Sequence, residues 1–263
     1  NIYVGYLALT DFDNVPDTVY LNATRDDRQI QFNGSPNFRS LNAKADNGIY
    51  VYSDITTGVG DLVLEADYDD ANDGTDWLYI SSTRTLTSER DLILSATNNN
   101  SIYATNGLNL IAKDDIVIND SINAHGDLDF DADSDASGAG DLTVALGANI
   151  STSNNLFNIK ANDMTLLGTI HTGSDDLIIE VTDNGNIGIG ATAQDFTLSE
   201  SEVANIDTTN LTIGSLTSGD ITVDNIALED SDAISGLVTL KANAEGKKIH
   251  FENNGSTFSQ LLV

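Results

Sequence analysis

Apolar and polar residues alternate in short runs along this chain, and the runs return at a nearly fixed spacing. Between Ile116 and Val181 the pattern repeats three times. Ile116 and Ile118 lead to an isolated Ile122 and then to Leu128, Phe130 and Ala132. Leu142, Val144 and Leu146 lead to Ile150 and then to Phe157, Ile159 and Ala161. Met164 and Leu166 lead to Ile170 and then to Leu177, Ile179 and Val181. Each isolated Ile stands four residues after the run before it and six or seven before the run that follows. Period-2 alternation marks strands with one buried face, and its return at a set interval marks a repeat architecture.

The same module is present upstream, where Ile49 and Val51 lead to Ile55, and Gly60-Asp61 introduces Leu62, Leu64 and Ala66. Two further copies run through Leu78, Ile80, Leu86, Leu92, Leu94 and Ala96, and through Ile102, Leu108, Leu110 and Ala112. Downstream the spacing loosens, with pairs at Ile187/Ile189, Phe196/Leu198, Leu211/Ile213, Ile221/Val223, Leu237/Leu240 and Ile249/Phe251. Asn, Asp, Ser, Thr and Gly clusters suited to turns separate the runs, as at Asn98–Ser101, Asp131–Gly140 and Ser151–Asn155. No stretch sustains a helical period; Leu198 to Ile206 comes nearest and is short.

Short strands at this spacing build a sandwich, a barrel or a coil of parallel strands. Hairpin signals are scarce, each repeat has three unequal apolar sites, and Ala recurs at an equivalent inward position, so the pattern predicts an all-β coil with three sides. Leu62, Leu64, Leu92, Leu94, Leu128, Phe130, Ile159, Leu177 and Ile179 should then share one core. Residues 1–48 differ, holding both prolines and three of the five Arg, while all eight Tyr and Trp77 precede residue 104. They are read as an N-terminal capping or interface region, and 49–263 as the repeat region.

The strings GDLVLEAD (60–67), RDLILSAT (90–97), KDDIVINDSINAHGDLDFDAD (113–133) and TLLGTIHTGSDDLIIEV (165–181) resemble the repeats of filamentous haemagglutinin-type exoproteins, the large bacterial surface proteins. The resemblance covers about residues 49–251. It implies a right-handed parallel β-helix (β-solenoid) with about 20 residues per turn, exported to the cell surface as an adhesin, fibre or stalk. The Asn-Pro-Asn motifs of that family's secretion domain have no match in residues 1–48, which leaves the export route open.

Charge narrows the partners. With 41 Asp plus Glu against 11 Lys plus Arg, the formal net charge is -30, so nucleic acid and anionic membrane surfaces are repelled and cations favoured. There is no Cys, hence no disulfide and no thiol chemistry. The start NIYVGYLALT is too short to span a membrane and lacks a basic flank. It suggests a piece of a longer precursor.

Candidate chemistry is thin. Asp127, Asp129 and Asp131 alternate toward one outer face, the arrangement a carbohydrate-degrading β-helix needs, but no basic residue lies close in sequence. His125, His171 and His250 are isolated. Two acidic runs, Asp67, Asp69, Asp70, Asp73 and Asp76, and Asp131, Asp133 and Asp135, are calcium candidates, though neither follows the EF-hand spacing. No cofactor is required.

The reading is a non-enzymatic extracellular structural or adhesive β-solenoid, part of a fibre, filament or surface matrix such as a biofilm. Its expected partners are host or matrix glycans and, end to end, a second copy or further polypeptide, since Ile2, Val4, Leu7 and Leu9 at one end and Phe258, Leu261 and Val263 at the other show no polar cap. The alternatives are a carbohydrate-binding or carbohydrate-degrading parallel β-helix, and an ice binder, for which no long Thr-x-Thr face is present.

Overall fold

The computed structural model describes residues 1–6, 17–71, 74–96, 102–252 and 254–263. The expectations placed on Leu7, Leu9, Asp73 and the cluster at 98–101 lie outside them. Every strand pairing among the described residues is parallel, and the strands wind into a β-helix with three walls. The first wall has nine strands, from Ile2–Val4 to Ile206–Asp207; the second has ten, from Asn37–Phe38 to Gln260–Leu262. The third holds seven, from Val19–Ala23 to Met164–Leu166, and a four-stranded sheet carries it onward.

Inward residues stack in register from turn to turn, as the alternation requires. On the first wall Ile30, Ile49, Leu78, Ile102, Ile122, Ile150, Ile170 and Ile206 form one column. All are fully buried, as are the nine core residues expected from the pattern. The neighbouring inward column of that wall begins with Val4, Phe32, Val51 and Ile80, narrows to Ala104 and Ala124, and ends in three buried threonines. Thr172 and Thr208 hydroxyls meet at 2.6 Å, and Thr152 Oγ1 donates to the Asn155 carbonyl at 2.5 Å, so the buried hydroxyls are satisfied.

Three expectations are corrected. Turn length is not uniform: Ile102 pairs with Ile122 and Ile150 with Ile170, each 20 residues on, but Ile49 pairs with Leu78, Ile122 with Ile150 and Ile170 with Ile206. The extra residues of the first two of these long turns lie between a third-wall or second-wall strand and the next wall, where Asp67, Asp69, Asp70 and Asp76 in one and Asp133 and Asp135 in the other belong to the acidic runs, while the third holds two further strands and a short helix. Within residues 1–48, Ile2–Val4, Val19–Ala23 and Asn37–Phe38 pair into the same three walls. Leu146 does not extend its strand: the chain turns at Gly147 (φ 87°), Ala148 takes the inward place, and Leu146 is 84% exposed. Near the other end, Val238 and Leu240 face inward rather than Leu237 and Leu240.

The corners explain much of the acidity. Asp91, Asp115, Asp141 and Asp163 each precede a third-wall strand and lie one above another. Where the corner interrupts the backbone ladder, each carboxylate accepts the N–H of the next turn. Asp115 N–H donates to Asp91 Oδ1 (3.3 Å), Asp141 N–H to Asp115 Oδ1 (3.0 Å), Asp163 N–H to Asp141 Oδ1 (3.0 Å) and Thr197 N–H to Asp163 Oδ1 (2.9 Å). Asp54 and Asp127 do the same at other corners, and Asp120 accepts the Ala96 N–H of the turn before it (2.8 Å). Backbone donors at a corner need such acceptors, and a short Asp side chain reaches them.

The loosened spacing after residue 181 has a topological cause. Strands Ile187–Gly190 and Phe196–Leu198 pair in parallel although only residues 191–195 separate them, far less than the dozen or more a parallel crossover ordinarily takes. Phe196–Leu198 folds back into the place beside Met164–Leu166. Glycine makes this close return feasible, since a Cβ on Gly188 would stand 2.2 Å from the Thr192 carbonyl oxygen. A short helix, Glu200–Ala204, follows where the sequence came nearest to a helical period. Glu202 accepts the Ser199 N–H (2.9 Å) and the Leu166 N–H (3.0 Å), tying it to the third wall.

Candidate functional site

The outward positions of the first wall form a row of their own. Tyr3, Gln31, Tyr50, Tyr79, Tyr103, Asn123 and Ser151 occupy one register line on successive strands. Asn149 shares the last of these strands, and none of the outward residues from Tyr3 to Ser151 carries a charge. At a strand spacing of roughly 4.8 Å this uncharged strip runs about 30 Å along the solenoid. Past Ser151 the same line continues to His171 and Asp207, which pair at 2.7 Å, and the other walls carry charge within the same span: Lys44 and Glu65 face outward on the third, and Asp129, Asp131, Lys160 and Glu180 on the second.

Aromatic rings crowd the middle of the strip. Tyr50, Tyr79 and Tyr103 follow one another at centroid separations of 5.9 and 6.0 Å, Tyr52 stacks on Tyr50 at 6.4 Å, and Trp77 lies 5.9 Å from Tyr79 and 5.7 Å from Tyr103. His125 ends the group, its ring edge-on to Tyr103 at 5.3 Å. The rings are half-buried by one another, with Tyr52 and His125 exposed. Each such pair adds about 0.5–1.5 kcal/mol beyond burial. Tyr50 Oη receives hydrogen bonds from Trp77 Nε1 and Gln29 Nε2 and meets Thr75 Oγ1 at 3.0 Å. Burial, with Tyr79 and Tyr50 alongside, pushes the Tyr52 phenol up, so it remains a neutral hydroxyl near pH 7. The early clustering of Tyr and Trp signalled the group, but its alignment on one face depends on turn lengths that the sequence alone did not fix.

The acidic candidates are not brought together. Asp131 pairs with Lys160 (3.0 Å) on the second wall, Asp135 is exposed, and Asp133 is buried inside the 132–141 loop. There it accepts the N–H groups of Ser137 (2.8 Å) and Gly138 (3.1 Å) and the Thr182 hydroxyl (2.5 Å), which makes it the anchor of the loop. In the other loop Asp67 and Asp76 are buried, Asp69 accepts the Ala71 N–H (3.0 Å), Asp70 is exposed, and Asp73 is outside the described residues. Among the described residues no three His, Asp or Glu side chains are grouped so as to hold a metal ion.

Asp129 and Asp131 face outward together, and Asp129 borders a depression with Lys160 and Glu180 of the next two turns. A basic residue distant in sequence thus stands beside them in space. Burial first, then Asp131, pushes the Asp129 carboxyl up, while Lys160 draws it down. The cluster is a salt-bridged row on a wall. His171 is paired with Asp207 (2.7 Å) and His250 lies 3.6 Å from Glu252, far from each other along the chain.

Comparison of the chain with protein-family models, curated proteins and solved structures finds no match. A parallel β-solenoid of stacked repeats is what the fold defines. Among the described residues no helix is long and apolar enough to cross a membrane.

Proposed function

We propose that this chain is a non-catalytic structural or adhesive β-solenoid, working outside the cell as part of a surface fibre or matrix in the manner of filamentous haemagglutinin-type proteins, with the outer face of its first wall as the contact surface. The observation that carries the reading is the charge-free aromatic strip on a body of net charge -30. Aromatic residues are enriched and charges depleted at the centres of contact surfaces, because rings bury much area with little entropy loss. Stacking beyond the outermost strands, onto a second copy or onto more of the same polypeptide, would lengthen the strip. Calcium is given no required part, since hydrogen bonds within the loops already engage Asp133 and Asp69.

Beads carrying the chain, set against glass, gelatin and polysaccharide films, test this. Adhesion to at least one surface should drop sharply in the double variant Tyr79→Ala/Tyr103→Ala; equal adhesion by a folded variant would refute the contact face. The catalytic alternative would use Asp129, Asp131 and Lys160. Incubation with a panel of polysaccharides should release no reducing ends, and release abolished by Asp129→Asn would replace the adhesive reading with the enzymatic one.

A further inference from the structure

We infer that the first-wall face binds an uncharged polysaccharide whose chain lies along the stacked strands from Tyr50 toward Ser151, an inference that rests on the reading of that face as the contact surface. Charge sets the first condition. An anionic polymer would be repelled by the body as a whole, and a cationic one would find no carboxylate among the outward residues of this strip, whereas the second wall offers several. What the strip offers instead is a mixture of neutral hydrogen-bonding groups and half-exposed rings.

That mixture matches sugars. Pyranose rings present C–H faces that pack on aromatic rings, and hydroxyls that both donate and accept. Tyr52, Trp77, Tyr79 and Tyr103 supply the rings, while the side chains of Asn123, Asn149 and Ser151 donate and accept in the same row. The row repeats at strand spacing over several turns, so a polymer of repeating units engages several weak contacts at once, and affinity builds by avidity. A folded protein partner more often centres on a few deeply desolvated anchors with Arg among them, and Arg is absent from this row.

Trp77 is the only tryptophan, so its emission reports directly on the face. Titration with hydroxyethyl cellulose, glucomannan and dextran should shift that emission for at least one of them, and the same polymer cast into a native gel should retard the chain, with no loss of binding at high salt. Tyr79→Ala and Tyr103→Ala should each weaken binding about tenfold or more, the scale of a lost anchor. Tyr79→Phe should retain most of it, and Ile93→Thr on the third wall should change nothing. Melting curves on every variant separate lost binding from lost folding. The inference is overturned if none of the three polymers binds, if folded Tyr→Ala variants bind as well as the parent, or if heparin or gelatin is preferred. Should beads still adhere through Tyr79 and Tyr103 while no neutral polymer shifts Trp77, the polysaccharide is wrong and the contact face stands; should neither occur, both fall.

Discussion

Asp115 illustrates how a carboxylate becomes structural at a solenoid corner. Its Oδ1 holds the Asp141 N–H at 3.0 Å, a donor that the interrupted ladder would otherwise leave unmet. Asp115→Ala should therefore lower stability by about 1–3 kcal/mol, the cost of a partly buried donor left without a partner. Asp115→Asn keeps an acceptor oxygen and removes one of several stacked charges, so its melting temperature should equal or exceed that of the parent. Burial, the leading cause in each case, pushes the carboxyls of Asp91, Asp120, Asp129 and Asp163 above the ordinary value of 3.8. A group that holds its proton more tightly in the fold than in the unfolded chain disfavours folding when ionised. Its penalty is full above the raised value and is relieved as pH falls through it toward the ordinary one. Thermal melts taken from neutral pH down toward the ordinary carboxylate value of 3.8 should show stability rising as these carboxyls take up protons, and a steady decline across that range would contradict this assignment.

At the scale of elements, alternation was the legible signal wherever a turn was short. Leu128 and Phe130 announced an inward pair, and both are fully buried on strand Leu128–Asp131. Phe130→Ala should cost about 3–5 kcal/mol, and Leu128→Asp more, because it places an unpaired charge in the core. Corners were less legible. Leu146 continued the alternation on paper, yet hydrophobicity does not show where a strand stops, and the left-handed backbone of Gly147 ends it. The return of Phe196–Leu198 was hidden for a similar reason, since a parallel pair with five intervening residues depends on close backbone approach rather than on any apolar pattern. Gly188→Ala should destabilise this region selectively, seen as faster amide exchange in 187–198 than in 122–166; uniform exchange would show that the close approach is unimportant. The acidic runs were visible, but their roles were not, because Asp133 meets Thr182 across 49 residues.

For the whole molecule, stacking turns of acidic corners concentrates 41 carboxyl groups against 11 basic ones. Screening should relieve the repulsion, so the melting temperature should rise with sodium chloride, and calcium chloride at matched ionic strength should act at least as strongly. A melting temperature indifferent to both would mean that self-repulsion does not limit stability. The first wall's outer strip stands apart from this charge, and its isolation is the basis of the adhesive reading. Tyrosines on different walls permit the most direct test. The chain would be nitrated free in solution and while bound to a surface it adheres to, and modification quantified residue by residue. The account predicts that binding protects Tyr52, Tyr79 and Tyr103 on the first wall, while Tyr20 on the third wall and Tyr68 at its corner, 65% and 47% exposed, react as before. Protection of Tyr20 and Tyr68 with undiminished nitration of Tyr52, Tyr79 and Tyr103 would contradict it.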